Sequence, residues 1–222
     1  MDFSPPPAAL PDVPPEALAR VRRLMAQRDR TVLGLVGPPG AGKSTLAAAL
    51  QVALGDVAQV VPMDGFHLAN VELQRLGRAG RKGAPDTFDA SGYAALLQRL
   101  RTQRADEAVY APEFRREIEE PVAGVIAVLP QTRLVITEGN YLLLDEGPWA
   151  GVAALLDETW YVTVDDGLRT DRLVRRHEHF GRSAQAAQDW VQGTDEPNAR
   201  LIAATRLRAQ WVFDWGSGGG SG

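Results

Sequence analysis

The chain contains no cysteine, and only two of its 24 basic residues are lysines. Without thiols it forms no disulfide and offers no thiolate to a metal, a composition that fits a reducing cytoplasm. No apolar run approaches the ~18 residues of a membrane-spanning helix. The opening "MDFSPPPAALPDVPP" has neither the basic start nor the apolar centre of a secretory leader. A strong charge of one sign is missing as well. The formal net charge of −4 supplies no basic field for nucleic acid, so any anion must be held at a local site and the expected partner is small. What is present, 45% hydrophobic and 23% charged residues in a chain of 222, is the balance of an ordinary soluble domain with a sizeable core.

Two segments punctuate the ends. Residues 1–15 hold six prolines and are expected to be extended or disordered, and "GSGGGSG" at 216–222 reads as a flexible linker or tag. One domain is expected over 16–215. "PPEALARVRRLMAQR" spaces Leu18, Val21, Leu24 and Met25 as an amphipathic helix with proline at its start. The apolar strand "TVLGLVG" follows, then a glycine turn, then the helix "KSTLAAALQVAL" ending at Gly55. "VAQVVPMD" reads as a second buried strand, "RLVITEGNYLLL" contains a third ending at Glu138, and "ETWYVTV" is a fourth. Helices are predicted over "ASGYAALLQRLRTQR", "RTDRLVRRHEHF" and "NARLIAATRLRAQ"; "EEPVAGVIAVLP" fits either a strand pair or a short helix. Alternating helices and doubly apolar strands predict an α/β fold with a parallel sheet covered on both faces.

One of the two lysines, Lys43, lies in "GLVGPPGAGKST". Gly37, Gly42, Lys43 and Ser44 satisfy G-x-x-x-x-G-K-[ST], with an apolar strand before and a helix after. Physically, glycines let backbone N–H groups turn inward around phosphate oxygens, and the helix N-terminus adds positive potential. Gly37, Pro38, Pro39, Gly40, Ala41, Gly42, Lys43, Ser44 and Thr45 are therefore the expected nucleotide loop. Lys43 is placed to reach the β- and γ-phosphates, and Ser44 to ligate Mg²⁺. A plain Gly/Pro turn with a solvated lysine is the competing reading.

Three further clusters narrow the chemistry. Asp64 in "VVPMDGFH" follows a strand end, where ligands of open α/β sheets bind, and suits a general base taking a hydroxyl proton; a turn residue is the alternative. Glu138 in "LVITEGNY" ends another strand and suits a Mg²⁺-associated acid, unless it is merely a cap or turn residue. "RLVRRHEHFGR" places Arg172, Arg175, Arg176 and Arg182 within eleven residues, either as a closing loop that neutralises phosphoryl charge or as a solvated arginine-rich helix. The histidines, His67, His177 and His179, show no metal spacing and read as polar contacts. Lys82, in the Gly-rich loop "GRAGRKGAPDTFD", either meets substrate or is solvated.

Taken together, these stretches make the chain similar to the P-loop small-molecule kinases of the uridine kinase, phosphoribulokinase and type I pantothenate kinase superfamily. "GPPGAGKST", "MDGFH", "RKGAPDTFD", "ITEGNYLLL", "RLVRRHEHFGRS" and "NARLIAATRLRA" each resemble a motif of that group, so the likeness covers nearly the whole folded part. It implies a P-loop NTPase three-layer sandwich with a mostly parallel five-stranded sheet and an arginine-rich lid. It also implies ATP and Mg²⁺ as cofactors, with Asp64 as catalytic base, Glu138 near Mg²⁺, and Arg172, Arg176 and Arg182 on the ATP phosphates. Arg116 in "YAPEFRREIEEP" and Asn198 are expected near substrate, with Phe66, His67, Lys82 and Tyr141 as further contacts. Arg115 stands where an acid is expected in the group's "P-x-F-D-R" pattern, which implies altered specificity or reduced activity.

The resulting expectation is a cytoplasmic, Mg²⁺-ATP-dependent kinase of a small hydroxyl-bearing metabolite such as a nucleoside, sugar or pantothenate-like compound. A homodimer is the default for such an enzyme. A nucleotide-driven switch and a kinase fold that binds without turnover are the rival readings.

Overall fold

The computed structural model describes residues 10–215. The expected disorder of residues 1–9 and the 216–222 tail lie outside the described residues. From Val13 onward the chain is already packed against the core, and Pro15 occupies the first turn of α1 (Pro15–Met25), where its missing N–H costs nothing.

β1 (Thr31–Val36) is buried at all six positions and leads through the glycine loop into α2 (Lys43–Leu54), which stops at Gly55. β2 (Ala58–Val60), α3 (Asn70–Arg75) and α4 (Ala90–Arg101) precede an antiparallel hairpin of β3 (Val109–Arg115) and β4 (Glu120–Val128). Then come β5 (Leu134–Gly139), β6 (Glu158–Thr163), α5 (Asp166–His179), α6 (Ala184–Trp190), a π turn at Val191–Asp195, α7 (Glu196–Ala203) and β7 (Trp211–Asp214). The five-stranded sheet has the order β2-β5-β1-β6-β7, and every pairing in it is parallel.

Strand alternation sorts the side chains into two cores. Leu33 and Leu35 of β1, Leu134 and Ile136 of β5, and Trp160 and Val162 of β6 pack with Val21, Leu46 and Leu50 from α1 and α2. Val32 and Val36, Val135 and Tyr161 point to the other face, against Leu97 and Leu100 of α4 and Ile202 of α7. This is the three-layer α/β sandwich expected from the doubly apolar strands. Among the described residues no helix is long and apolar enough to cross a membrane.

Several elements differ from the expectation. β2 is a three-residue edge strand, not a long buried one: Pro62 has no N–H with which to continue the ladder, so Asp64 sits in a 3₁₀ turn, Met63–Phe66, beyond the strand. "EEPVAGVIAVLP" is the strand β4, and its partner β3 was not foreseen; nor were α3, α6 and β7, and the helix expected over "NARLIAATRLRAQ" ends at Ala203. β1 lies centrally between β5 and β6, and Leu35 is level with Glu138, so the carboxyl ends of β1 and β5 open onto one crevice.

Candidate active site

The glycine loop is shaped by its neighbours. A Cβ on Gly37 would lie 2.4 Å from the Val162 carbonyl oxygen, and Gly42 holds φ at +87°, so larger residues are barred from both turns. Ala41 is buried beneath the loop, while Pro39, Gly40, Gly42, Lys43, Ser44 and Thr45 line a cavity of about 980 Å³. Lys43 Nζ donates to the carbonyl oxygens of Gly37 (2.9 Å) and Pro38 (3.1 Å) and to Asn140 Oδ1 (2.8 Å). The ammonium group thus rests on two carbonyl oxygens of its own loop and on the Asn140 amide oxygen. Burial pushes its pKa down to about 8; the nearby Glu138 and Asp64 charges oppose that, and Arg176 adds to it.

Ser44 Oγ donates to Glu138 Oε1 at 2.9 Å, bringing the two expected Mg²⁺-associated groups together. Burial and then the Asp64 charge raise the Glu138 pKa, against Lys43, the Ser44 hydrogen bond and Arg116. A hydroxyl and one buried carboxylate beside a phosphate loop suit Mg²⁺, which takes few protein oxygens and fills its octahedron with phosphate and water. Asp64 faces the same cavity, with Arg116 Nη2 3.6 Å from its Oδ2.

Arg172 and Arg176 project from α5 into the cavity, and Arg182 reaches it from the following loop with its guanidinium 3.9 Å from the Trp190 ring centroid. Arg175 is not on the lining. α5 is fastened at two points: His177 Nε2 meets Asp195 Oδ2 of the π turn at 2.8 Å, and buried Arg169 bonds Glu196 at 2.5 Å. Burial lowers the Arg176 pKa, with Arg116 adding to the effect. Asn198 also lines the cavity.

At the opposite end lie His67, Asn70, Lys82, Phe88, Phe114 and Arg116. Two expected contacts fall elsewhere. Phe66 packs edge-on against Tyr93 in the core at 5.3 Å, and Tyr141 is fully buried with its hydroxyl on the Gly83 carbonyl, so it supports the Lys82 loop from behind. Neither lines the cavity, because aromatic bulk at these strand ends is drawn into the core. Arg115 points away too and pairs with Glu113 at 2.6 Å, since strand alternation gives the cavity Phe114 and Arg116. Asn140, Asp195, Trp190 and Trp215 also line the cavity but were not singled out from the sequence. Only Asn140, directly after the Glu138–Gly139 strand end, had a local signal.

The family model described as Phosphoribulokinase / Uridine kinase family matches residues 32–216. The chain belongs to this family. The ATP-dependent kinase-like protein notR' of Aspergillus versicolor is 40% identical over 156 residues, 67% of this chain and 91% of that protein. The uncharacterized protein YggC of Escherichia coli is 33% identical over 202 residues, covering 89% and 82% of the two chains. A crystal structure from Silicibacter sp. TM1040, provisionally named a fructose transport system kinase, superposes with a TM-score of 0.77 at 38% identity over 88% of this chain and 98% of that one. The chain is therefore similar throughout its fold to ATP-dependent P-loop kinases. As a member of the phosphoribulokinase/uridine kinase family it is an ATP-dependent P-loop kinase.

Proposed function

We propose that this family member transfers the γ-phosphoryl group of ATP to a hydroxyl of a small metabolite in the cytoplasm, with Asp64 as the general base. The observation that carries this reading is the convergence of Asp64 with Lys43, Ser44 and Glu138 on one cavity. Asp64 accepts the hydroxyl proton, the freed oxygen attacks the γ-phosphorus, and the bond to the β–γ bridging oxygen breaks to release ADP. Lys43 leaves its loop carbonyls for the phosphates, while Arg172, Arg176 and Arg182 offset charge on the transferred group. Ser44 and Glu138 would hold Mg²⁺, which would supply charge neutralisation to the nucleotide phosphates. Most of the rate gain then comes from positioning and preorganised charge.

Asp64→Asn tests the assignment. Turnover should fall by about 10²- to 10⁴-fold, the usual worth of a positioned base, while the Kd of a non-hydrolysable ATP analogue stays unchanged. Undiminished kcat, or a loss confined to ATP affinity, would remove Asp64 from the chemistry.

A further inference from the structure

We propose that the hydroxyl-bearing substrate carries an anionic group, a carboxylate or a phosphate monoester, seated between Lys82 and Arg116 while its hydroxyl lies at Asp64. This deepens the kinase reading above and rests on it.

Lysine is scarce in this chain, yet both lysines line one cavity, Lys43 at the nucleotide end and Lys82 at the other. The arginines next to Lys82 are committed elsewhere: Arg81 pairs with Asp86 at 2.6 Å and Arg78 with the same carboxylate at 3.3 Å, and neither lines the cavity. Lys82 differs. Its hydrogen bonds go to neutral oxygens, Asn70 Oδ1 at 2.7 Å and the Glu119 backbone carbonyl. The side chains of Glu119 and Glu120 oppose the burial that lowers its pKa, but the Glu120 carboxylate is spent on the Asn70 N–H at 3.0 Å.

Arg116 is held more loosely than Lys82. Its 3.6 Å approach to Asp64 is an ion pair wider than a hydrogen bond. Both cations lie beside one ring, Lys82 Nζ at 5.0 Å and Arg116 at 6.0 Å from the Phe114 centroid, and all three residues line the same cavity. His67 completes that end. It lies 4.0 Å from the Phe88 ring and 4.5 Å from Phe114, and burial lowers its pKa. With neutral imidazole and Nδ1–H donating to the Asp64 carbonyl at 2.8 Å, Nε2 is an acceptor for a substrate O–H or N–H. The subsite therefore combines two cations, an aromatic wall, the Asp64 carboxylate and, beside Lys82, the Glu119 side chain. A neutral nucleoside or sugar would leave Lys82 on neutral oxygens and Arg116 with only its 3.6 Å pairing to Asp64, whereas an anion gives both cations charge-assisted hydrogen bonds.

The test measures ADP release with Mg²⁺-ATP against matched pairs that differ in the anion: glycerate and glycerol, pantothenate and pantothenol, fructose 6-phosphate and fructose. Anionic members of one kind, carboxylate or phosphate, should raise turnover, and their neutral partners should not. Which kind responds identifies the source. Lys82→Gln should raise KM for the active compound about 10- to 100-fold, the worth of a charged hydrogen bond, with kcat little changed and ATP-analogue binding intact; Lys82→Arg should restore most of the loss. Equal turnover of a neutral partner, or an unmoved KM in Lys82→Gln, overturns the anionic subsite and leaves the kinase reading standing. Flat ADP release over the whole panel with ATP-analogue binding intact counts against both.

Discussion

Lys43 shows how one side chain links burial to function. Its ammonium is held by two loop carbonyls and an amide oxygen, and burial brings its pKa to about 8. Phosphate oxygens favour the charged form more than neutral oxygens do, so a bound nucleotide raises that pKa. Nucleotide binding should then take up no proton well below pH ~8 and up to one proton above it. The Kd of ADP, titrated calorimetrically in EDTA to remove divalent ions, is expected to be flat at neutral pH and to weaken by about tenfold per pH unit above ~8. A pH-independent Kd between roughly 7 and 9.5 would place the lysine's titration outside that window. The sign for folding is separate. The unfolded lysine keeps its proton up to its ordinary 10.5 and the folded one only to about 8, so this residue's contribution to stability is smallest below pH 8 and rises with pH between the two values.

At the scale of elements, α5 is clamped in place. α5 carries Arg172 and Arg176, and its two fastenings, His177 to Asp195 and Arg169 to Glu196, fix how far those arginines stand over the cavity. Asp195 ends a π turn, a wide turn that often marks a functional site, and Glu196 opens α7 directly after it. Asp195→Ala removes one fastening without touching the phosphate loop. It should raise the KM for ATP several-fold and speed proteolysis near Gly181, whereas Asp195→Asn keeps a hydrogen-bonding oxygen and should stay near the parent in both readouts. An unchanged KM in Asp195→Ala would mean that Arg169 alone positions the helix. The pairing also shows what the sequence could not reveal. The phosphate loop was legible because a contiguous motif, a strand and a helix encode it; Asp64 and Glu138 were legible because they end apolar runs. Asp195, Trp190 and Trp215 join the cavity only through packing of distant segments. β7 owes its existence to β6, far earlier in the chain, whereas β3 is one arm of a local hairpin with β4.

The whole molecule separates stability from chemistry by geometry. The two cores lie on opposite faces of the sheet, and the cavity opens at its carboxyl edge, so a residue deep in one face can be weakened without altering any group that meets nucleotide. Leu97 is such a residue: fully buried on α4, packed in the face that holds Val32 and Val135, and absent from the cavity lining. Leu97→Ala leaves a void and should cost about 2–5 kcal/mol of unfolding free energy by denaturant titration. If the layers act as a scaffold and not as part of the site, the variant's Kd for ADP should stay close to the parent value. Saturating ADP at ~100 Kd should return about 2.7 kcal/mol to both proteins alike, because ligand stabilisation depends on affinity and not on the starting stability. A smaller return in the variant would show that the α4 layer sets the shape of the phosphate loop across the sheet. β1, whose alternate side chains enter both cores before it feeds that loop, is the element through which such coupling would pass.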